Sequence, residues 1–576
     1  MSAVVLARTR GAGGRRALDA RWLLLGVAGA LVVWLVSAPL AFFLLTAFRR
    51  TEDVLPFEPG ASWTLTNFAD VYGNPVLYRA VLPDTLLYTA GAVVITMTLG
   101  VLLAWLVERT NVPFPDVLFV ALVSPVIVPT VVVAIAWVVL LGPNAGYINV
   151  LLRSLLGLSG PGPLDIFSLG GLIVAQGLAL VPLSFLFMAV AFRNMDPALE
   201  EASALARARP LTTFVRVTLP LLSPAILALL IVVTTLTLEG FEVPLVIGVP
   251  AGVKVLSTWI FFAINPPAGL PNYGRVAAIA VPFLAFGIVL LYLYNRALRV
   301  AERYATVTGR AYRPRRLDLG RWRYPALALV ALYLLLVLVL PAAIMLLTAL
   351  HPPGTAAVSL DAFASVLGSP VTRLAFRNTL IAGGLGATIV IFCATMVSWL
   401  VVRTRVPGRA VLDVMTFVPI TIPAVVTGVA IGLLYLVLPL GIYGTVWILV
   451  LAYATRMAVA TRVIRASLTQ IHRELEEASA VSRARWLQTF RRVLLPLLAS
   501  AIGFAWLLLF IVSFREFTLG MLLFRPDNIV VGVHLWSLYE RGRLGEASAL
   551  GFVMIVSVLA LAFVARRLLR PRLGEA

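Results

Sequence analysis

The residues EEASALARARPLTTFVRVTLPLLSPAI, from Glu200 to Ile226, recur as EEASAVSRARWLQTFRRVLLPLLASAI, from Glu476 to Ile502. The two copies are identical at 19 of 27 positions and are separated by a constant offset of 276 residues. Repetition at this scale indicates one structural unit that is used twice. Each copy lies between apolar stretches, yet its charges would cost kilocalories each inside a lipid bilayer. Each polar segment is therefore expected in water or against another protein.

The composition places the rest of the chain in a membrane. The 576 residues are 61% hydrophobic and only 12% charged, and the mean hydropathy is +0.99. These values exclude a soluble globular domain. We assign the net charge of +20 to arginine-rich cytoplasmic loops rather than to a surface for nucleic acid. The single cysteine, Cys393, excludes disulfides and cysteine-based metal sites within the chain.

Twelve apolar stretches approach the ~20 residues that a membrane-spanning helix needs. They lie near residues 22–48, 82–107, 116–142, 168–192, 219–247 and 275–297, and near 324–349, 376–401, 411–437, 444–466, 496–524 and 546–569. We predict an all-α polytopic membrane protein, with twelve transmembrane helices in two parallel six-helix repeats. Six spans per repeat put both polar segments on one face of the membrane, where a two-fold symmetric partner can engage both.

The arginines predict the orientation and the organisation of the chain. They cluster before the first span, in the stretch 296–323 and after the last span, with Arg8, Arg10, Arg15, Arg16 and Arg21 at the start and Arg566, Arg567, Arg570 and Arg572 at the end. Cytoplasmic loops carry such an excess, so both termini are expected in the cytoplasm. The predicted parts are a tail at 1–21, transmembrane modules at 22–297 and 324–569 joined by a linker at 298–323, and a tail at 570–576.

The two halves also match outside the polar segment. Trp105 and Arg109 correspond to Trp399 and Arg403 at an offset of 294 residues. The third span of each half carries two prolines at the same offset, Pro125 and Pro129 in the first half and Pro419 and Pro423 in the second. Because proline lacks a backbone N–H and disrupts helices, we predict matched breaks whose freed carbonyls face a wet interior between the halves.

The repeated segment resembles the EAA loop of importer permeases of the ATP-binding cassette (ABC) class. That loop reads Glu-Ala-Ala, three residues, Gly, about nine residues, a hydrophobic residue, any residue, and Leu-Pro. Here Glu201, Ala202 and Ser203 lead to Leu219-Pro220, and Glu477, Ala478 and Ser479 lead to Leu495-Pro496. Arg207 and Arg483 stand where the family has Gly.

The resemblance implies the type I ABC importer permease fold in the bacterial inner membrane. It also implies two copies of a cytoplasmic ABC ATPase as partners, and an extracytoplasmic solute-binding protein. The residues expected to dock the ATPases are Glu200, Glu201, Ala202, Ser203 and Arg207, with Glu476, Glu477, Ala478, Ser479 and Arg483. Since arginine disfavours a left-handed conformation, we expect the chain at Arg207 and Arg483 to turn without a positive φ, and the guanidinium groups to reach an acid on the ATPase or a helix C-terminus.

No ATP-binding site and no catalytic group are expected in the chain itself. A P-loop needs GxxxxGK[ST], and the only lysine, Lys254, lies between valines. Hydrolysis of ATP is therefore assigned to separate subunits. The residues suggest no catalytic constellation, no metal site, no bound cofactor and no nucleic-acid partner.

Charges within the fifth span of each half indicate a translocation path or its gate. They are Glu239 and Glu242 in LEGFEVP, and Arg515 and Glu516 in SFREF. Ionisable groups at membrane depth usually mark a pathway. The acids either line a route for a cation, or form a salt bridge with Arg515 that holds an outer gate, or lie near the outer interface.

Three stretches of sequence limit the range of expected solutes by resemblance. They are ERTNVPFPD, NMDPALEEAS and EGFEVPLVIGVPAG. They are similar to the ferric-iron and thiamine branch of these permeases, and iron is the solute we favour. Thiamine, a polyamine or a phosphonate stays open. Two other classes also stay open, an ion-coupled secondary transporter with parallel six-span repeats and a membrane scaffold that transports nothing.

Overall fold

The computed structural model describes residues 20–50, 55–196, 198–266, 271–304, 316–351 and 357–569. Within these ranges the chain is helical, apart from turns, connecting segments and two isolated β-bridges, Arg49 with Trp63 and Thr110 with Leu317. The predictions for residues 1–19, for 305–315 of the linker and for 570–576 lie outside the described residues.

Twelve candidate spans are present in the described ranges when each bent pair of helices counts as one, which confirms the predicted fold class. Eight spans are uninterrupted: Trp22–Thr46, Leu77–Arg109, Leu169–Asn194, Tyr273–Leu290, Gly320–Leu350, Pro370–Arg403, Trp486–Phe514 and Leu544–Val564. Four are bent pairs: Pro115–Ile127 with Thr130–Leu141, Leu211–Leu221 with Ser223–Glu239, Arg409–Ile420 with Ala424–Val437, and Val446–Ala454 with Ala458–Gln470.

Shorter helices connect the spans. They are Thr66–Tyr72, Tyr147–Leu156, Ala198–Leu205, Leu256–Ile264, Asp361–Gly368, Glu474–Val481 and Val531–Glu540. The helix Tyr147–Leu156 lies in a Gly- and Pro-rich segment between the third and fourth spans of the first half. The second half is shorter at this place. Asn149 fixes this segment, because its amide donates to the carbonyls of Leu141, Gly142 and Leu164.

The proline breaks in the third spans are present as predicted. The helix axis turns by 96° between Pro115–Ile127 and Thr130–Leu141, and by 109° between Arg409–Ile420 and Ala424–Val437. In both spans the residue before the second proline is extended, with ψ of 133° at Val128 and 124° at Ile422. A residue before proline avoids the helical region, which explains why both breaks fall at the same place.

The first span of each half packs against the other half. Trp22–Thr46 lies on Pro370–Arg403 and Ala424–Val437 of the second half, and the Trp34 indole donates a 2.9 Å hydrogen bond to the Tyr435 hydroxyl. In return, Leu340–Leu350 contacts Thr130–Leu141 of the first half. Each half therefore holds one helix of the other, which ties the two repeats together.

Small residues bring the second and fourth spans of the first half into close contact. The Thr96 hydroxyl donates to the Gly177 carbonyl at 2.8 Å. At Gly100, a side-chain carbon would lie 2.1 Å from the Ser184 hydroxyl. Lipid tails are as apolar as leucine, so helix association in a bilayer relies on such close packing rather than on a hydrophobic driving force.

The contact at Gly100 gives a test of the packing. Gly100→Leu forces the two helices apart, and overpacking of this kind costs roughly 1–3 kcal/mol. We expect a lower midpoint of thermal unfolding in detergent. Gly384→Leu is the matched control, because Gly384 lies in the second span of the other half with no atom within 4 Å of an added carbon. Equal destabilisation by both substitutions would contradict the packing described here.

Candidate functional site

Each polar segment begins with a short helix, which we call a docking helix. The first docking helix is Ala198–Leu205 and the second is Glu474–Val481. The Asp196 carboxylate accepts a 2.9 Å hydrogen bond from the Ala198 N–H, which satisfies one of the unpaired donors at the helix start. A further helix begins at Pro210, because the fixed φ of proline suits a first helical position.

The turn after each docking helix contradicts one prediction. Arg207 and Arg483 both have a φ of 58°, in the left-handed region, although we expected no positive φ there. The reason is the helix-ending motif: the Ala208 N–H donates to the Ser203 carbonyl at 3.1 Å, and the Ala484 N–H donates to the Ser479 carbonyl at 3.2 Å. These bonds satisfy carbonyls that the helix end leaves unpaired, and they offset a backbone cost of about 1–2 kcal/mol.

The two arginine side chains face outward. Both are exposed, and no hydrogen bond or ion pair of either guanidinium is recorded in the described part of the chain. Their expected contact with an ATPase stays a prediction.

A buried ion pair fixes the first docking helix. Arg109, at the end of the second span, lies 3.4 Å from the Glu200 carboxylate, and the two side chains are only 3% and 6% exposed. The same guanidinium donates to the carbonyls of Phe192 and Met195, at 2.6 and 2.9 Å. The Thr218 hydroxyl donates to Glu200 at 2.6 Å. Arg109 therefore joins the ends of the second and fourth spans to the docking helix, and we call this group the arginine clamp.

The second half builds the same clamp from the matching residues. Arg403 lies 2.6 Å from the Glu476 carboxylate and donates to the carbonyls of Leu468 and Ile471, at 3.2 and 2.7 Å. The Trp399 indole donates to Glu476 at 3.3 Å, in the role that Thr218 has in the first half. The sequence analysis aligned Arg109 with Arg403 correctly but did not predict that the two residues pair with glutamates.

The clamps turn Glu200 and Glu476 towards the spans of their own half. The docking role expected of these two residues stays a prediction. Ser203 has a similar structural contact, since its hydroxyl lies 2.8 Å from the Thr213 hydroxyl. Ser479 and Thr489 repeat the contact at 2.7 Å. These pairs fasten each docking helix to the helix that follows it.

Apolar side chains of the docking helices project into water. Leu205 is 85% exposed and Val481 is 86% exposed, and the two residues occupy equivalent positions. Leu199 and its counterpart Leu475 are 53% and 46% exposed. Apolar groups that are exposed at the same place in two copies indicate a surface that another protein covers. The signal was present in the sequence, as apolar residues at the same offset in two polar helices, and our sequence analysis missed it.

A second candidate site is a cluster of charges between the halves. The Glu516 carboxylate lies 2.5 Å from the Arg456 guanidinium and accepts from the Leu519 N–H at 3.0 Å. In the first half, the Thr130 hydroxyl bonds to Glu242. Arg456 lies at the bend of a fourth span and was not identified from sequence, although an arginine within an apolar stretch is the signal that would have found it.

Arg515 links the cluster to the proline break. Its guanidinium donates to the Val126 carbonyl, which lies in the turn that Pro125 and Pro129 create. A freed carbonyl of the first half is thus satisfied by a cation of the second. The partner of Glu516 is Arg456, not Arg515 as one of our alternatives had it.

Next to the cluster lies a cavity of about 260 Å³, with Thr130, Gln176, Glu242 and Arg515 in its wall. One carboxylate oxygen of Glu239 is buried without a hydrogen-bond partner in the structure. No group of three or more histidine, cysteine or acidic residues is arranged to hold a metal ion among the described residues. Among these acids, Glu516 forms an ion pair with Arg456 within the second half.

Comparison with known proteins gives a consistent result. Residues 77–299 and 386–572 each match the family described as binding-protein-dependent transport system inner membrane component. The chain is 26% identical to the ferric transport system permease protein FbpB of Actinobacillus pleuropneumoniae, over 76% of this chain and 64% of the relative, so it spans less than two thirds of that protein. It is 22% identical to an Fe(3+)-transport system permease protein of Haemophilus influenzae, over 91% of this chain and 95% of the relative. A sulfate transport system permease protein of Salmonella typhimurium is 30% identical over 34% of this chain and 76% of its own length.

The arginine clamp yields a test of stability. Arg109→Ala leaves Glu200 as an unpaired buried carboxylate, and breaking a buried pair in this way costs roughly 3–5 kcal/mol. We expect a markedly lower midpoint of thermal unfolding in detergent. Arg109→Met combined with Glu200→Met should regain part of the loss, since no charge is then left unpaired.

The control for this test is Arg193→Ala. Arg193 pairs with Glu108 through a side chain that is 55% exposed, and such pairs are worth at most about 1 kcal/mol. A loss after Arg109→Ala no larger than after Arg193→Ala would show that the clamp contributes little.

Proposed function

This chain belongs to the family of binding-protein-dependent transport system inner membrane components, and on that premise we propose that it is the transmembrane permease subunit of an ATP-driven importer of ferric iron. The observation that carries the proposal is the pair of docking helices, which repeat the same exposed apolar residues and the same arginine clamp. A pseudo-two-fold pair of such surfaces suits two copies of one ATPase.

The partners follow from the same geometry. Two copies of a cytoplasmic ABC ATPase cover the docking helices and supply ATP hydrolysis, for which this chain has no P-loop. An extracytoplasmic binding protein delivers the solute to the opposite face. Both termini then lie in the cytoplasm with the docking helices, in agreement with the excess of arginine on that side.

The mechanism is alternating access by rigid-body motion of the two halves. Closure of the ATPases on ATP moves both docking helices. Each docking helix is held by an arginine clamp to the second and fourth spans of its half, and by a serine–threonine contact to the helix that leads into the fifth span. Movement of the helix is therefore passed to several spans together instead of being absorbed in a loop.

Iron is the proposed solute for two reasons. Two relatives that match most of this chain are named as ferric permeases. The second candidate site also contains three acidic side chains, Glu239, Glu242 and Glu516, whose oxygens border the proposed route. Ferric iron prefers oxygen ligands, and a path bordered by carboxylates and carbonyls suits it. Thiamine, a polyamine or a phosphonate would use the same machinery.

The deciding experiment is uptake into proteoliposomes. The purified chain is reconstituted with its ATPase and with a ferric-binding protein, and the accumulation of radioactive ferric iron is followed with and without ATP. We expect uptake only with ATP and binding protein, and no competition by thiamine, polyamine, phosphonate or sulfate. Accumulation driven by an ion gradient without ATP would instead identify a secondary transporter.

The exposed apolar residues allow docking to be tested without disturbing the fold. Leu205→Asp combined with Val481→Asp should abolish co-purification of the ATPase and leave the thermal unfolding of the permease unchanged, because both side chains are already in water. Leu158→Asp is the control. Leu158 is a 45% exposed leucine in the Gly- and Pro-rich segment that follows the third span of the first half. Retention of the ATPase by the double variant would refute docking at this surface.

Glu201 and Glu477 are proposed to couple ATP hydrolysis to transport. Their charge is expected to pair with basic residues of the ATPase, so replacing both by Ala should lower iron uptake while the permease folds normally. Uptake at the level of the unmodified protein would remove both residues from the coupling mechanism.

A further inference from the structure

Two phenylalanines that occupy equivalent positions in the two halves touch each other. Phe241 and Phe517 are separated by the same offset of 276 residues as the docking helices. Their ring centroids are 6.2 Å apart and the rings are within 20° of parallel. Equivalent points lie at equal distances from the two-fold axis that relates them, so each centroid lies about 3 Å from the pseudo-two-fold axis, half of the 6.2 Å separation.

The pair is enclosed by other aromatic side chains. Phe241 is 2% exposed and Phe517 is fully buried. Phe261 packs on Phe241 with centroids 5.2 Å apart, and Trp536 packs on Phe517 at 6.3 Å. Aromatic side chains therefore cover both rings, and Phe241 also borders the cavity of about 260 Å³ that has Glu242 and Arg515 in its wall.

Charges directly flank this apolar contact. Glu239 and Glu242 lie within two residues of Phe241, and Arg515 and Glu516 lie within two residues of Phe517. An apolar constriction that water cannot occupy blocks ions, even where polar groups lie close to it. A permanent core contact would not require ionisable neighbours, which are costly at this depth.

Both rings also lie at breaks in the fifth spans. The helices of these spans end at Glu239 and Phe514, and each phenylalanine follows in a residue outside the helices. The helix Ser223–Glu239 has 17 residues and rises about 26 Å, within a hydrocarbon core of ~30 Å. The pair therefore lies towards the outer end of the span.

The same stretch of chain joins each ring to a docking helix. In the first half it runs from Pro210, which follows the docking helix, through the fifth span to Phe241. In the second half it runs from Trp486 to Phe517. When a docking helix moves, the fifth span transmits the displacement to the phenylalanine at its end. The break in the helix allows this change, because backbone torsions can rotate there.

We propose that Phe241 and Phe517 form the outer gate of the translocation path, closed in this structure, and that they separate when the ATPases close on ATP. The inference rests on the proposed function and adds the residues that seal the path. Arg515 holds the closed state, because its guanidinium donates to the Val126 carbonyl of the other half.

Leakage through the permease alone tests the seal. The chain is reconstituted into vesicles without ATPase or binding protein, and the entry of protons and sodium ions is followed with dyes trapped inside. Phe241→Ala combined with Phe517→Ala should make entry severalfold faster than in the unmodified protein, and Phe241→Leu with Phe517→Leu should restore the seal.

The matched control is Phe363→Ala combined with Phe552→Ala. These two phenylalanines form an aromatic contact with centroids 6.3 Å apart within the second half, away from the equivalent pair. The same leak in this control as in the Phe241 and Phe517 variant, or no leak in either, would overturn the gate.

Cross-linking tests whether the pair separates. Phe241→Cys and Phe517→Cys are combined with Cys393→Ala, and a short thiol-specific cross-linker is added to the assembled transporter. We expect high yield without nucleotide, loss of uptake on cross-linking, and low yield when ATP is trapped in the ATPases. Equal yield in both states with uptake intact would show that the contact is permanent.

The two tests separate this inference from the proposed function. If the unmodified transporter shows no ATP-driven iron uptake while the alanine variant leaks, the proposed function fails and the seal stands. If uptake proceeds while neither leak nor state-dependent cross-linking is seen, the proposed function stands and the gate fails.

Discussion

The architecture depends on an arginine at the end of each second span, beside the docking helix. A guanidinium removed from water must be paired with charge and hydrogen-bond acceptors, or its desolvation is not recovered. Arg109 satisfies this requirement with Glu200 and two carbonyls of the fourth span, and Arg403 does so with the matching groups. In each half, the second span, the fourth span and the docking helix are thereby joined into one unit. A displacement of the docking helix is then transmitted to both spans.

The path between the halves is organised by local breaks in otherwise regular helices. Prolines open the third spans, and the carbonyl exposed at Val126 receives Arg515 from the opposite half. The helices of the fifth spans end within one residue of equivalent positions, and Phe241 and Phe517 meet just beyond these ends near the pseudo-two-fold axis. The first spans exchange between the halves, so the two repeats remain joined.

Hydropathy, the internal repeat and the paired prolines predicted the twelve spans, the polar docking segments and the breaks, because each follows from the behaviour of a single residue type in lipid. Features that depend on two distant residues were not predicted. Arg109 and Glu200 are 91 positions apart, and no local pattern in the chain indicates that they pair. The left-handed turn at Arg207 was missed because the hydrogen bonds that end the helix outweigh the preference of the residue. The contact of Phe241 with Phe517 requires the symmetry axis, which no local pattern in the chain locates.

The central claim is that closure of two ATPases at the docking helices opens the far end of the path. The most direct measurement is a structure of the assembled transporter, with the ATPases trapped on ATP and the binding protein in place. The account predicts that the docking helices approach each other, that both arginine clamps persist, and that the rings of Phe241 and Phe517 move apart. A trapped assembly in which the ATPases have closed while the two rings stay stacked would contradict it.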